Sequence, residues 1–362
     1  MPLFSAPPKS VCFLRLSAIG DVCHAVAAVQ HLQQFWPQTQ VTWVVGNVEA
    51  QLLEGLPNVE LIVFDKKAGL AGMKAVWQQL KGRKFDALVH MQLALRASLL
   101  TLGIRARYKV GFNFKRAKEG QWLFTNRKIA DTESAHVLDS FFSFTEYLGV
   151  PRQTPTWNLP ISEQDRLFAR TQLGQQSTVV ICPAASKDER NWVTERYAQF
   201  ADYVINQGYQ VVLCGSPAVR EVQLAANIAT LMTQPVINLV GKTNLKQLTA
   251  LLREAKLVLA PDSGPAHIAT TQGTPVLGLY AHSNPKRTGP YFNVNDVVSV
   301  YEQAVTQQQG KPLEQLAWST RAKGDNLMQA ITTDAVIHQF DRMMSRSSHL
   351  GNSTDLGNAT YG

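Results

Sequence analysis

Short runs of aliphatic and β-branched residues alternate with longer amphipathic stretches along most of the chain. "VCFLRL", beginning at Val11, reads as a buried strand, and "DVCHAVAAVQHLQQFW" behind it carries its apolar residues at helical spacing. "VTWVVG", "VELIVF", "DALVHM" and "YKVGFN" follow as further strands, with helical stretches between several of them. Nearly continuous apolar strands separated by helices imply a parallel sheet covered on both faces. The alternation stops at "LGVPRQTPTWNLPIS", where three prolines interrupt any period, and then restarts with "TVVICP", "YQVVLCG", "PVINLV", "KLVLAP" and "PVLGLY".

The pattern predicts an α/β chain built from two doubly wound, Rossmann-like halves. The expected divisions are an amino-terminal domain over 1–160, a carboxyl-terminal domain over 161–326, a helix over 327–345 packing back on the amino-terminal domain, and a disordered tail over 346–362. Sheets of this kind bind ligands beyond the carboxyl ends of their strands, so two facing halves would enclose a cleft.

Composition narrows this picture without redirecting it. With 362 residues, 45% of them hydrophobic and 17% charged, the chain fits a two-core globular protein rather than a collagenous or disordered one. No apolar run approaches the roughly 20 residues needed to cross a bilayer, and the opening "MPLFSAPPKS" has prolines where a secretion signal carries its apolar helix, so the expected location is the cytoplasm. Cys12, Cys23, Cys182 and Cys214 lack metal-ligand spacing and read as small buried hydrophobes. The net charge of +8 calls for an anionic partner, whether nucleic acid, anionic lipid or a phosphorylated substrate.

Missing motifs exclude several chemistries. The first strand-to-helix turn is "SAIGD", without the G-x-G-x-x-G that a dinucleotide needs, and "VGKTN" has Val236 where a P-loop requires glycine. No D-x-D is present to hold a divalent ion against a nucleoside diphosphate, so a bound pyrophosphate would draw its positive charge from the protein.

Four stretches carry candidate chemistry. In "APDSGPAHIATTQGTP", Asp262, Ser263 and Gly264 fall between a strand and a helix. Ser263 there is either a plain helix cap or part of an anion site built from the exposed N–H groups of the helix start, with His267 one turn on. In "LRLSAIGDVCHAV", Asp21 is either the N-cap of a helix starting at Val22 or a carboxylate able to take a proton from an attacking hydroxyl. In "SKDERNW", Ser186, Lys187 and Arg190 form either a solvated loop or a cationic seat for a leaving diphosphate. "YKVGFNFKRAKEGQW" sets Lys109, Lys115, Arg116 and Lys118 among aromatics, followed by Arg127 and Lys128, but shows no nucleic-acid stacking signature.

In this order the motifs resemble glycosyltransferase family 9, the ADP-heptose:lipopolysaccharide heptosyltransferases of Gram-negative bacteria. The resemblance spans roughly residues 10–342 and rests on "SAIGDVCHAVAAV", "FNFKRAKEGQWLFTNRKI", "GKTNLKQLTALL" and above all "APDSGPAHIATTQGTPVLGLYAHSNPKRTGPY". It implies a GT-B fold and an inverting, metal-independent transfer with no cofactor beyond the nucleotide-sugar donor. Asp21 would be the general base, and Asp262, Ser263, Gly264 and His267 would bind the donor. Arg190 stands where relatives commonly have lysine, Ser186 lies near a phosphate-binding hydroxyl, and Ala185 lacks a hydroxyl that some members carry. Thr243 would lie near the nucleoside and Glu221 near the ribose. Lys118, with Lys115 and Arg116, would meet the phosphorylated lipopolysaccharide core acceptor, giving peripheral attachment to the cytoplasmic face of the inner membrane and no nucleic-acid role. A family transferase of another nucleotide sugar, or a GT-B sugar-nucleotide epimerase, remains the alternative.

Overall fold

The computed structural model describes residues 1–132 and 134–353, with side chains as far as Arg346. The chain divides into two units, Met1–Glu163 and Gln164 onward.

In the first unit the apolar runs become strands β1 (Ser10–Leu14), β2 (Gln40–Gly46), β3 (Val59–Phe64), β4 (Phe85–His90), β5 (Ala106–Gly111) and β6 (Arg127–Lys128). Helices α1 (Ile19–Phe35), α2 (Asn47–Leu53), α3 (Gly69–Gln79), α4 (Leu95–Leu100) and α5 (Val137–Leu148) connect or cover them. The sheet runs β3-β2-β1-β4-β5-β6 and every pairing is parallel, with Val11 opposite both Val41 and Ala87. The central strands are buried on both faces, which is why they read as unbroken apolar runs: β1 is buried from Val11 to Leu14 and β2 from Val41 to Gly46. Edge strand β6 is two polar residues long and leaves no hydrophobic signature.

The proline-rich stretch after α5 is fastened to α1. Gln30 makes a pair of hydrogen bonds with the Asn158 backbone at 2.8 and 2.9 Å, His31 Nε2 lies 2.6 Å from the Pro151 carbonyl, and Trp157 Nε1 donates to the Cys23 carbonyl at 2.7 Å.

The second unit repeats the plan. Helix α6 (Glu163–Leu173) leads into β7 (Thr178–Ile181), followed by α7 (Thr194–Asn206), β8 (Gln210–Leu213), α8 (Val219–Leu231), β9 (Ile237–Asn238), α9 (Leu245–Glu254) and β10 (Leu257–Pro261). Then come α10 (Gly264–Thr271), β11 (Val276–Tyr280), α11 (Pro285–Thr288), β12 (Val298–Ser299), α12 (Tyr301–Gln309) and α13 (Thr333–Ser353). The all-parallel order β12-β11-β10-β7-β8-β9 is, counted from β7, the same winding as in the first unit. Local chemistry sets the ends: at α9 the Asn244 side chain accepts from Gln247 N at 2.8 Å and the Gln247 side chain accepts from Asn244 N at 3.0 Å, a reciprocal cap.

The apolar face of α13, expected to pack back on the amino-terminal domain, is taken up by α7 of its own unit. Phe340 sits edge-on to Phe200, Tyr203 and Tyr209 at 5.6, 6.4 and 5.8 Å, and Val336, Met343 and Met344 join the same core. Trp192 Nε1 donates to the Ile331 carbonyl at 2.9 Å, fixing the approach to this helix. Helix α13 continues to Ser353, into the segment expected as a disordered tail; the remainder of that expectation, 354–362, falls outside the described residues.

All four cysteines are free and buried, as their apolar surroundings imply, and burial pushes the Cys214 thiol up to about 12. His90, at the end of β4, is also fully buried, with Nε2 3.0 Å from Ser98 Oγ and Nδ1 without a partner. Burial, aided by the charges of Arg15 and Lys109, lowers its pKa from 6.5 to about 3. The unfolded chain therefore binds a proton near pH 6.5 that the folded chain refuses. This group leaves stability intact above that pH and subtracts up to ~1.4 kcal/mol per pH unit below it. Urea unfolding at pH 7.5 and 5.5 should show the acid loss shrinking by about 1 kcal/mol in His90→Gln; an unchanged difference would mean that the histidine is not the titrating group.

Candidate functional site

In each sheet the winding reverses beside its first strand, between β1 and β4 in one unit and between β7 and β10 in the other. Loops at such a reversal splay apart beyond the strand ends and leave a crevice. The sequence candidates fall largely on these loops.

In the first unit Arg15 directly follows β1 and is buried. Its Nη1 donates to the Met91 carbonyl at 2.6 Å, its Nη2 pairs with Asp21, and its guanidinium carbon lies 5.3 Å from the centre of the Phe141 ring. Burial pulls the guanidinium pKa below its ordinary value, against the support of Asp21. Asp21 is not the N-cap. Helix α1 begins at Ile19 behind Ala18, so Asp21 occupies the first turn, 3.5 Å from the Ala18 N–H, with its side chain one-third exposed. Ala18 has no capping side chain, which is why the sequence points three residues too late. The carboxylate is thus gripped from one side and open on another. Arg15 is the partner of Asp21 that the sequence does not single out; its only signal is a charge at the end of the otherwise apolar "VCFL".

Two glutamines hold the neighbouring loops. Gln92 Oε1 accepts from Leu16 N and Ser17 N at 3.1 and 3.3 Å. Gln121, fully buried, donates to the His90 and Gln92 carbonyls and accepts from Phe112 N, all within 3.0 Å.

The basic stretch separates into different roles. Lys115 and Lys118 are exposed, and Lys115 lies 2.9 Å from Asp131. Arg116, expected alongside them against the acceptor, turns inward: it is buried, bonded to Ser140 Oγ, and donates to the Thr132 and Ser134 carbonyls at 2.8 Å. It braces the segment leading into α5. Arg116→Ala should lower the unfolding free energy by about 3 kcal/mol, because it strands buried acceptors, whereas Lys115→Ala should stay within about 0.5 kcal/mol. Parallel urea titrations check this, and equal effects would contradict it.

In the second unit Asp262 directly follows β10 and Ser263 precedes α10. Ser263 occupies the N-cap position with an extended backbone, yet its hydroxyl makes no capping bond; Oγ is buried without a partner. Asp262 accepts a short hydrogen bond from Ser283 Oγ, while His267 Nε2 stands 3.9 Å and Arg190 Nη1 3.8 Å from its oxygens, ion-pair rather than hydrogen-bond distances. Burial works against the carboxylate, but His267, Ser283 and Arg190 outweigh it and hold the pKa below the usual range. An acid that would otherwise repel phosphate is therefore largely neutralised at the positive end of a helix that also carries Gly264 and Pro265. Ser283 was not anticipated from sequence; it lies 21 residues further on, in the loop after β11.

Ser186 is exposed in the loop after β7, which Asn191 shapes by accepting from Ala185 N at 2.7 Å. Lys187 lies beside Glu189 at 3.4 Å, so Arg190 is the cation of that loop directed at Asp262. Glu221, in the first turn of α8, accepts from Ser216 N at 2.8 Å and so shapes the loop after β8, with Arg220 3.6 Å from its other oxygen. Thr243 is half-buried in the turn before α9. Among the described residues no group of three or more His, Cys, Asp or Glu side chains is arranged to hold a metal ion.

Residues 73–317 match the model of glycosyltransferase family 9 (heptosyltransferase). The chain belongs to this family. A lipopolysaccharide core heptosyltransferase from Haemophilus influenzae, OpsX, is 52% identical over 95% of this chain and 99% of its own length. Lipopolysaccharide heptosyltransferase 3 of Escherichia coli is 25% identical over 72% of this chain and 79% of its own. Among solved structures, a family 9 glycosyltransferase from Veillonella parvula superposes with a TM-score of 0.78 at 22% identity, covering 95% of this chain and 99% of that one. E. coli ADP-heptose lipopolysaccharide heptosyltransferase II gives 0.73 at 19% identity over 94% and 99%. The fold is GT-B and the protein is a glycosyltransferase, as the sequence resemblance implied.

Proposed function

We propose that this family 9 enzyme transfers heptose from ADP-heptose to the inner core, the Kdo/heptose region, of lipopolysaccharide, with inversion and without a metal ion. The near full-length likeness to the Haemophilus core heptosyltransferase supports the sugar and acceptor class. The observation carrying the donor assignment is the neutralised Asp262 beside the unpartnered Ser263 hydroxyl at the head of α10. In this reading the second unit takes the donor. Ser263, Gly264 and His267 meet the diphosphate together with Ser186 and Arg190, whose fixed charge replaces a cation, while Thr243 and Glu221 lie toward the nucleoside and ribose.

The first unit takes the acceptor, with Lys115 and Lys118 facing its phosphates and Arg116 supporting them from within. Asp21 accepts the proton of the acceptor hydroxyl as that oxygen bonds to the anomeric carbon, and the bond to the ADP oxygen breaks on the opposite face. Arg15 positions the carboxylate. Proton transfer comes late, once the hydroxyl has grown acidic through attack. The enzyme works peripherally at the cytoplasmic face of the inner membrane; among the described residues no helix is long and apolar enough to cross one.

Calorimetric titration with ADP in the presence of a chelator tests the donor half, with micromolar binding expected. Turnover of ADP-heptose with and without a core acceptor then tests the rest. Absence of ADP binding would remove the ADP-sugar donor, and isomerised sugar without acceptor would favour an epimerase.

A further inference from the structure

The transfer chemistry leaves unused a group of large apolar side chains that the first unit displays to solvent. Phe114 is 67%, Trp122 46% and Leu123 68% exposed, and Leu95 and Leu102 are exposed nearby in sequence. These side chains are held in place rather than merely left over. Gly120 adopts a left-handed φ of 71° and turns the chain into the short 3-10 turn Gln121–Phe124. Gln121 is anchored inside by its three hydrogen bonds, and that inward anchor leaves Trp122 and Leu123 facing out. Phe114 stands 6.2 Å from Trp122, with Lys128 Nζ 3.7 Å from its ring centre. Glu119 Oε2 accepts from Leu95 N at 2.6 Å, tying the turn to α4.

The charge around this group is mostly positive, although Asp131, just beyond it in sequence, pairs with Lys115 at 2.9 Å. Residues 95–128 contain nine Lys or Arg and a single carboxylate, Glu119, which that backbone bond engages. Arg96, Arg105, Arg107, Lys115, Lys118 and Arg127 are exposed. Exposed aromatic and aliphatic tips set among long basic side chains match a bilayer interface: the tips enter the headgroup layer while the cations meet anionic lipid phosphates.

We propose that Phe114, Trp122 and Leu123, with the surrounding Lys and Arg, form a docking surface for an anionic lipid bilayer. The proposal rests on the membrane-borne acceptor of the reading above, and gives the enzyme a hold on the surface that carries its substrate, independent of the acceptor sugar. The full chain is sedimented with vesicles of phosphatidylethanolamine containing phosphatidylglycerol, and with phosphatidylcholine vesicles, without nucleotide sugar or acceptor. Partitioning onto the anionic vesicles is expected to fall steeply as salt rises toward about 0.5 M. The triple variant Phe114→Ser, Trp122→Ser, Leu123→Ser should lose at least roughly tenfold in partitioning, with ADP affinity and unfolding midpoint unchanged. Equal partitioning of variant and wild type overturns the proposal, as does failure of the wild type to bind anionic vesicles. Loss of self-association in the variant with vesicle binding intact would instead assign the patch to a second copy of the chain. Failure of ADP-heptose turnover would strike the transfer reading and leave the vesicle result standing.

Discussion

Asp21→Asn is expected to lower heptosyl transfer by about 10³-fold while ADP binds as it does to the wild type. A positioned base is worth 10²–10⁴-fold where the attacking hydroxyl is otherwise a poor nucleophile, and the amide keeps the shape while abolishing the basicity. The ion pair with Arg15 makes the change more than local. A buried guanidinium left facing an amide should lower the unfolding free energy by about 1–2 kcal/mol, so the assay temperature must lie well below the variant's midpoint. Single-turnover rates at saturating ADP-heptose, read beside an ADP titration, separate the two effects. Wild-type turnover in this variant would remove Asp21 as the base, whatever the sugar.

The second large effect concerns the donor. Asp262→Ala should weaken ADP binding by about 30-fold, near 2 kcal/mol, although the substitution removes a negative charge from the proposed phosphate site. The reason is organisation: Ser283, His267 and Arg190 all converge on that carboxylate, and none has the same reason to stay in place without it. Because these partners hold the acid ionised below the usual carboxylate range, its contribution is complete above about pH 4 and fades only as pH falls further. Neutral-pH titrations of the wild type and Asp262→Ala are therefore the fair comparison. Tighter ADP binding in the variant would show that the carboxylate opposes the phosphate rather than arranging its ligands.

What the sequence disclosed and what it hid follow from the range of the interactions involved. Strands β1, β4, β7 and β10 are legible because each is a buried central strand whose composition is its own evidence. The two-residue edges β6 and β12 are not, since pairing alone makes them strands. Asp21 and Asp262 stand out as acids close to a glycine shortly after a strand, but their partners are harder to see: Arg15 lies six residues before Asp21 with only its charge as a mark, and Ser283 belongs to a different loop. Arg116 is indistinguishable in sequence from the lysines flanking it, because the carbonyls that draw it inward come from Thr132 and Ser134. The polar run after Met344 reads as a tail because its residues lack the apolar period that marks α13 earlier, yet the helix continues.

The fastening of the proline-rich stretch to α1 bears on how such enzymes diversify. Gln30, His31 and Trp157 make residues 151–158 part of the first unit, so the seam between the halves lies near residue 163 rather than among the prolines. A recombination that joined two family members inside the proline run would tear one parent's segment from its own helix. A crossover at the seam carries each half across with its core complete, so that, under the proposed division of donor and acceptor between the halves, the two choices can be inherited separately.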